Sequence, residues 1–156
     1  MKAIPLKDIK QELSHLSSIE LQELCLRLSR FKKENKELLS YLLFESSDEA
    51  GYIENIKKDI DKGFEAINTK SYFYIRKSTR KILSQTKKYI RYSPKKETEV
   101  ELLLYFCKKM KDFKPSINNS AQLKNMYDRQ LLLIKKIVNT LHEDLQYDYN
   151  IAIEDL

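Results

Sequence analysis

DEAGYIENIKKDIDKGFEAI, residues 48–67, decides the fold. Ile53, Ile56, Ile60, Phe64 and Ile67 recur at spacings of three and four, which places them on one face of a helix and leaves the lysines and carboxylates on the other. Asp48 stands where a side-chain oxygen can accept a hydrogen bond from the first-turn amides, so the spacing predicts a helix that opens at Asp48. Gly63 interrupts the stripe. Glycine inside a helix is expected to cost up to about 1 kcal/mol relative to alanine, unless a neighbouring helix packs closely there.

The same period extends in both directions. Toward the N-terminus, Ile4, Ile9, Leu13 and Leu16 mark a helix over 5–15, with Pro5 suited to its first turn. Ser17 and Glu20 have the spacing of a capping box and open the next helix, whose buried stripe is expected to be Ile19, Leu24, Leu28 and Phe31. A polar stretch then precedes Leu38, Leu39, Leu42 and Leu43. Both a break near Asn35 and one continuous helix to Phe44 fit residues 18–45.

Toward the C-terminus, residues 71–92 read as a helix with Ile75, Thr79, Ile82, Leu83, Thr86 and Ile90 inward. Ser93 and Pro94 suit the start of a helix over 94–113, with Glu97, Glu99 and Glu101 where the helix dipole favours them. Leu123, Tyr127, Leu131, Ile134, Val138, Leu141 and Leu145 predict a single last helix over 120–147. Residues 150–156 lose the period and read as a tail. The expected architecture is all-α: five to seven antiparallel helices in one domain over 1–149, as a helical bundle or a short helical-hairpin stack.

Composition agrees. Two glycines and three prolines in 156 residues leave little material for hairpin turns or phosphate-cradling loops. No apolar run approaches the ~20 residues of a membrane span, the longest being Leu102 to Cys107 and Leu131 to Ile134. Met1 to Lys10 has no apolar core of a secretory signal, and a cytoplasmic location is expected. Cys25 and Cys107 have no CxxC partner and occupy apolar helix positions, so both are expected as small core residues in a reducing compartment.

The stretch LKDIKQELSHLSSIELQELCLRLSRFKKENKELLSYLLFESSDE (6–49), with the later KSTRKILSQ segment (77–85), resembles an uncharacterised family of small all-helical bacterial proteins. The likeness covers about residues 6–90. It implies a helical fold and brings no activity with it.

Charge is the most informative functional signal. Between Ala66 and Lys96 there are ten lysines and arginines and no acidic residue, so this segment carries +10 while the rest of the chain sums to 19 minus 23, or −4. At 100° per residue Arg76, Arg80, Lys87 and Arg91 form one ridge, with Lys77, Lys81 and Lys88 beside it. Tyr72, Tyr74, Tyr89 and Tyr92 interleave with these cations near the helix ends. Three destinations fit such a face: an acidic protein partner or a second copy, a nucleic acid held without sequence preference, or ion pairs with the chain's own Asp59, Asp61, Glu65 and Glu97 to Glu101. The candidate site is Arg76, Arg80, Lys87, Lys88 and Arg91, with Tyr89.

Other chemistry finds little support. Glu12 and His15 supply one Glu-x-x-His pair of a di-iron bundle, but His142 has Asn139 three residues before it. Glu20/Glu23 and Glu34/Glu37 mimic the paired carboxylates of magnesium-dependent helical phosphohydrolases, a remote alternative that requires all four to converge. No cofactor, metal or small-molecule substrate is expected, and the function expected is a non-catalytic interaction module.

Overall fold

The computed structural model describes residues 1–156 and contains eight α-helices and no strand. Helices α1 (Leu6–Leu13), α2 (Ser18–Phe31) and α3 (Lys33–Ser40) are followed by a π-turn over Tyr41–Glu45. Then come α4 (Glu49–Glu65), α5 (Tyr72–Ile90), α6 (Lys96–Asp112), a 3-10 turn at Ile117–Asn119, α7 (Ala121–Val138) and α8 (Glu143–Glu154). The protein is all-α, with one helix more than the five to seven expected. No helix is long and apolar enough to cross a membrane.

Local capping chemistry explains the extra breaks. Lys32 is extended (φ −141°, ψ 144°) and separates α2 from α3, while the Asn35 side chain donates to the Leu28 carbonyl at 2.8 Å and satisfies an orphaned acceptor at the end of α2. The last helix is likewise two. α7 stops at Val138, the Thr140 hydroxyl donates to the Ile137 carbonyl at 2.7 Å, and His142 caps α8 by accepting from the Asp144 amide at 3.3 Å. Glu143 and Asp144 supply the acidic first turn. The expected tail from residue 150 is therefore helical to Glu154.

Other expected caps are confirmed or displaced. Ser17 and Glu20 form the reciprocal capping box, with bonds of 2.7 and 3.2 Å, and Asp48 accepts from the Gly51 amide at 3.0 Å. Ser93 does not cap α6, whose N-cap is Lys95. Its hydroxyl instead donates to the Glu49 carboxylate at the start of α4 and accepts from the Lys95 amide.

The chain divides into two compact units, Met1–Phe44 and Glu45–Leu156, where a single domain over 1–149 was expected. In the second unit α4, α5 and α6 pack mutually, α7 lies on α6, and α8 lies on α7. Helix α6 is the centre: Val100, Leu102, Leu103, Phe106, Cys107 and Met110 have no solvent exposure at all. Ile56, Ile60 and Phe64 of α4, Ile75 and Ile90 of α5, and Leu123, Ile134 and Val138 of α7 close around it. Phe64 holds the Phe106 and Phe113 rings at 5.7 and 5.9 Å in tilted contacts. Gly63 has a close neighbour in α5, because a Cβ there would lie 2.9 Å from Cγ1 of Ile82.

The first unit is built differently. Of its 44 residues only Tyr41 is buried, and the expected stripe of α2 faces solvent, with Ile19 69% and Phe31 77% exposed. Cys25 is exposed as well, contrary to the expected core position, whereas Cys107 is buried and desolvation raises its thiol to about 12.

Candidate functional site

Helix α5 forms because Ile75, Thr79, Thr86 and Ile90 give it one face to bury, and the two threonines return their hydroxyls to the carbonyls of Ile75 and Ile82. That inward face fixes where the cations go. Arg76, Arg80, Lys87 and Arg91 fall along one flank of the helix and Lys77, Lys81 and Lys88 along its outer side. From Arg76 to Arg91 the ridge runs about 22 Å at 1.5 Å per residue.

The structure decides between a free and a paired ridge. Arg76, Lys77, Arg80, Lys81, Lys87 and Arg91 make no ion pair, and all except half-buried Arg76 are exposed. Three of the carboxylates expected to neutralise them, Asp61, Asp59 and Glu101, are engaged elsewhere. Asp61 accepts from Lys109 at 2.9 Å and from the Tyr105 hydroxyl at 2.8 Å, Asp59 lies 4.0 Å from Lys62, and Glu101 takes Lys57 at 3.7 Å and Tyr149 at 3.3 Å. Lys88 lies over the Tyr89 ring, 5.2 Å from its centroid.

Arg80, Leu83, Ser84, Lys87, Lys88 and Arg91 line one shallow, open concavity of about 370 Å³ on this flank. Tyr89 is not part of it. It lies on the opposite flank, beside an apolar groove of about 340 Å³ between α4 and α5 that Ile56, Ile60, Gly63 and Ile82 line. Its backbone carbonyl accepts from the Tyr52 hydroxyl at 2.8 Å. Of the residues expected at the site, the concavity brings together Arg80, Lys87, Lys88 and Arg91, Arg76 lies further along the same flank, and Tyr89 lies across the helix.

The other tyrosines also part company. Tyr72 donates its hydroxyl to the Ser116 carbonyl at 2.8 Å and ties α5 to the loop before α7, and Tyr92 is buried. Only Tyr74 stays exposed. Its ring meets that of Phe73 edge-on at 5.5 Å, and Phe73, 60% exposed, sits at the N-terminal end of the basic ridge. Phe73 was legible in the sequence: residues 73, 76, 80, 84, 87 and 91 follow the three-four spacing of one helix face.

A second feature missed in the sequence is the acidic end of the chain. After Lys136 there is no lysine or arginine, and residues 137–156 carry five carboxylates. Asp144, Tyr147, Asp148, Ile151 and Asp155 form an exposed ridge along α8 and its C-cap, the carboxylates interleaved with Tyr147 and Ile151.

Glu20 is occupied by its capping bonds, which lower its carboxyl below the ordinary range, and Glu37 lies 3.6 Å from Lys33. No group of three or more His, Cys, Asp or Glu side chains converges as metal ligands would, so the four-carboxylate cluster required of a phosphohydrolase is not formed. Compared with family models, curated proteins and solved structures, the chain matches none, and the reading of the site rests on its own geometry.

Proposed function

We propose that the protein is a non-catalytic interaction module that presents the basic ridge of α5 to an acidic protein surface. The observation that carries this reading is the unpaired state of Arg76, Arg80, Lys87 and Arg91 on one rigid helix whose core face is fully anchored. Six unpaired cations along one helix create a field that attracts carboxylates, and guanidinium groups bind them in a bidentate manner. Phe73 and Tyr74 add an apolar anchor at one end, the kind of residue that supplies most of the binding energy in protein interfaces. The matching surface is an amphipathic acidic helix, with carboxylates spaced to meet the cations and an aliphatic or aromatic side chain to cover Phe73. The chain's own α8 ridge has this chemistry, so a second copy qualifies as partner. Nucleic acid is less well served, because three of the four tyrosines available for base stacking are held away from the ridge.

The test is a fluorescence-anisotropy titration of the full chain with a labelled acidic helical peptide and with a single-stranded oligonucleotide of matched charge, at ~50 and ~200 mM salt. Binding of the peptide is expected to weaken with salt and to fall at least tenfold in the variant Arg76→Gln/Arg80→Gln/Lys87→Gln/Arg91→Gln. Equal binding by parent and variant overturns the proposal, and tighter binding of the oligonucleotide replaces it with nucleic-acid recognition.

A further inference from the structure

Helix α8 carries the complement of the basic ridge. Asp144, Asp148 and Asp155 are exposed on one side of α8 and its C-cap; Asp148 and Asp155 make no ion pair, and Asp144 has only His142, at 3.5 Å. Along the chain these carboxylates are four and then seven residues apart. On α5 the exposed cations Arg91, Lys87 and Arg80 have the same spacings, four and then seven, read in the reverse direction. Each triplet spans about 17 Å at 1.5 Å per residue and falls within an arc of about 40° at 100° per residue.

On the reading of α5 as a surface for acidic partners, we propose that the partner is a second copy of the chain, its α8 lying antiparallel on α5. Asp144 is then level with Arg91, Asp148 with Lys87 and Asp155 with Arg80, and the exposed apolar side chains of α8 fall between the three pairs. Ile151 comes level with Ser84, over the shallow concavity that Leu83 and Ser84 share with the cations, and Tyr147 comes level with Lys88, which also lines it.

The spacing of the cations alone does not fix the direction, since Arg76, Arg80 and Lys87 offer four and then seven to a parallel α8. The surroundings do. Arg76 is half-buried and outside the concavity, and a parallel α8 would bring Tyr147 level with Thr79, which is buried. Antiparallel pairing also opposes the two helix dipoles. The net charge of +6 makes most approaches between copies repulsive, whereas residues 137–156, with five carboxylates and no lysine or arginine, present the opposite sign to the ridge.

Because the two faces lie on different helices, the contact is heterologous: each copy offers one of each, and association extends into rings or chains as concentration rises. One helix pair of this length buries less than the roughly 800 Å² per partner of a stable interface, so the association is weak and salt weakens it further.

The test is sedimentation equilibrium of the full chain. At ~50 mM salt the average mass is expected to climb above 18.6 kDa between ~10 and ~500 µM, and to return to it at ~500 mM salt. Two charge reversals, Arg80→Glu/Lys87→Glu/Arg91→Glu and Asp144→Lys/Asp148→Lys/Asp155→Lys, are each expected to be monomeric and to melt near the parent, all six side chains being exposed. Their mixture is expected to associate again. Register is read in a Cys25→Ser background, where Arg91→Cys mixed with Asp144→Cys is expected to form a disulfide between chains and Arg76→Cys mixed with Asp144→Cys is not. A parent that stays at 18.6 kDa overturns the proposal, as does association that survives either reversal, or a mixture of folded reversals that stays monomeric. A disulfide through Arg76→Cys in place of Arg91→Cys overturns the antiparallel register. Titration of Asp144→Lys/Asp148→Lys/Asp155→Lys with the acidic helical peptide separates the two levels: its ridge is intact, so it binds the peptide if only the choice of partner is wrong, and binds none if the reading of α5 is wrong.

Discussion

Gly63 shows how a single position records a tertiary contact. Its place in the α4 stripe costs helix stability, and the structure shows the compensation, since Ile82 of α5 fills the space a side chain would need. Cγ1 of Ile82 is not the free end of its side chain and cannot swing aside without moving the rest of the residue. Gly63→Ala is therefore expected to destabilise the chain by about 1 kcal/mol despite its better helix propensity. In an Ile82→Ala background the same change should become stabilising. Urea unfolding of the four variants reads the reversal, and a stabilising Gly63→Ala in the parent would contradict it. From sequence such a contact could be named only as the condition under which a glycine in the stripe is offset. Tyr89 takes the flank opposite Arg80 and Lys87, because proximity in sequence to Lys88 says nothing about which flank a side chain takes.

Asp61 is a second residue whose environment makes a measurable difference. Burial pushes its carboxyl upward, but bonds from Lys109 and Tyr105 together with the lysine charge outweigh this and hold it below the usual carboxylate range. A lowered native value means that the contribution of Asp61 to stability is complete above about pH 4 and is lost as pH falls through the native value. The Tyr105 phenol, raised to about 12 first by burial and then by Asp61, works in the opposite sense: its contribution persists below about pH 10 and is lost as pH rises toward 12. The stability difference between the parent and Asp61→Asn should thus be flat from pH 5 to 8 and shrink below pH 4. Melting curves across that range check it, and a difference that grows on acidification contradicts it.

At the scale of the element, α5 keeps the face it buries apart from the charge it exposes. Because its ridge cations have no partners within the chain, removing them should cost little. The variant Arg76→Gln/Arg80→Gln/Lys87→Gln/Arg91→Gln is expected to unfold within about 1 kcal/mol of the parent, and relief of mutual repulsion favours a slight gain. A loss of 3 kcal/mol or more would mean that the ridge belongs to the fold. The existence and span of α4, α5 and α6 were legible because each has a buried face several turns long. The break between α7 and α8 was not, because Leu141 and Leu145 continue the apolar period straight across it. Only the capping chemistry of Asn139, Thr140 and His142 marks the stop, and such signals are weaker than a heptad-like stripe.

At the scale of the whole molecule, helical periodicity identified apolar faces in both units but could not say which of them the chain itself covers. The stripes of α4 and α2 look alike in sequence. One is closed by α5 and α6, while the other, with Ile19 and Phe31 at its edges, stays open. The difference arises from the number of helices available to each unit, which residue patterning does not encode.

The central claim, that the α5 ridge is a partner-facing surface, is tested most directly by titrating the isotope-labelled full chain with the acidic helical peptide and mapping backbone amide shifts. The account predicts a contiguous set of perturbed residues along the ridge from Phe73 to Arg91, with the groove beside Tyr89 unaffected. Perturbations centred on that groove, or none along the ridge at saturating peptide, would contradict it.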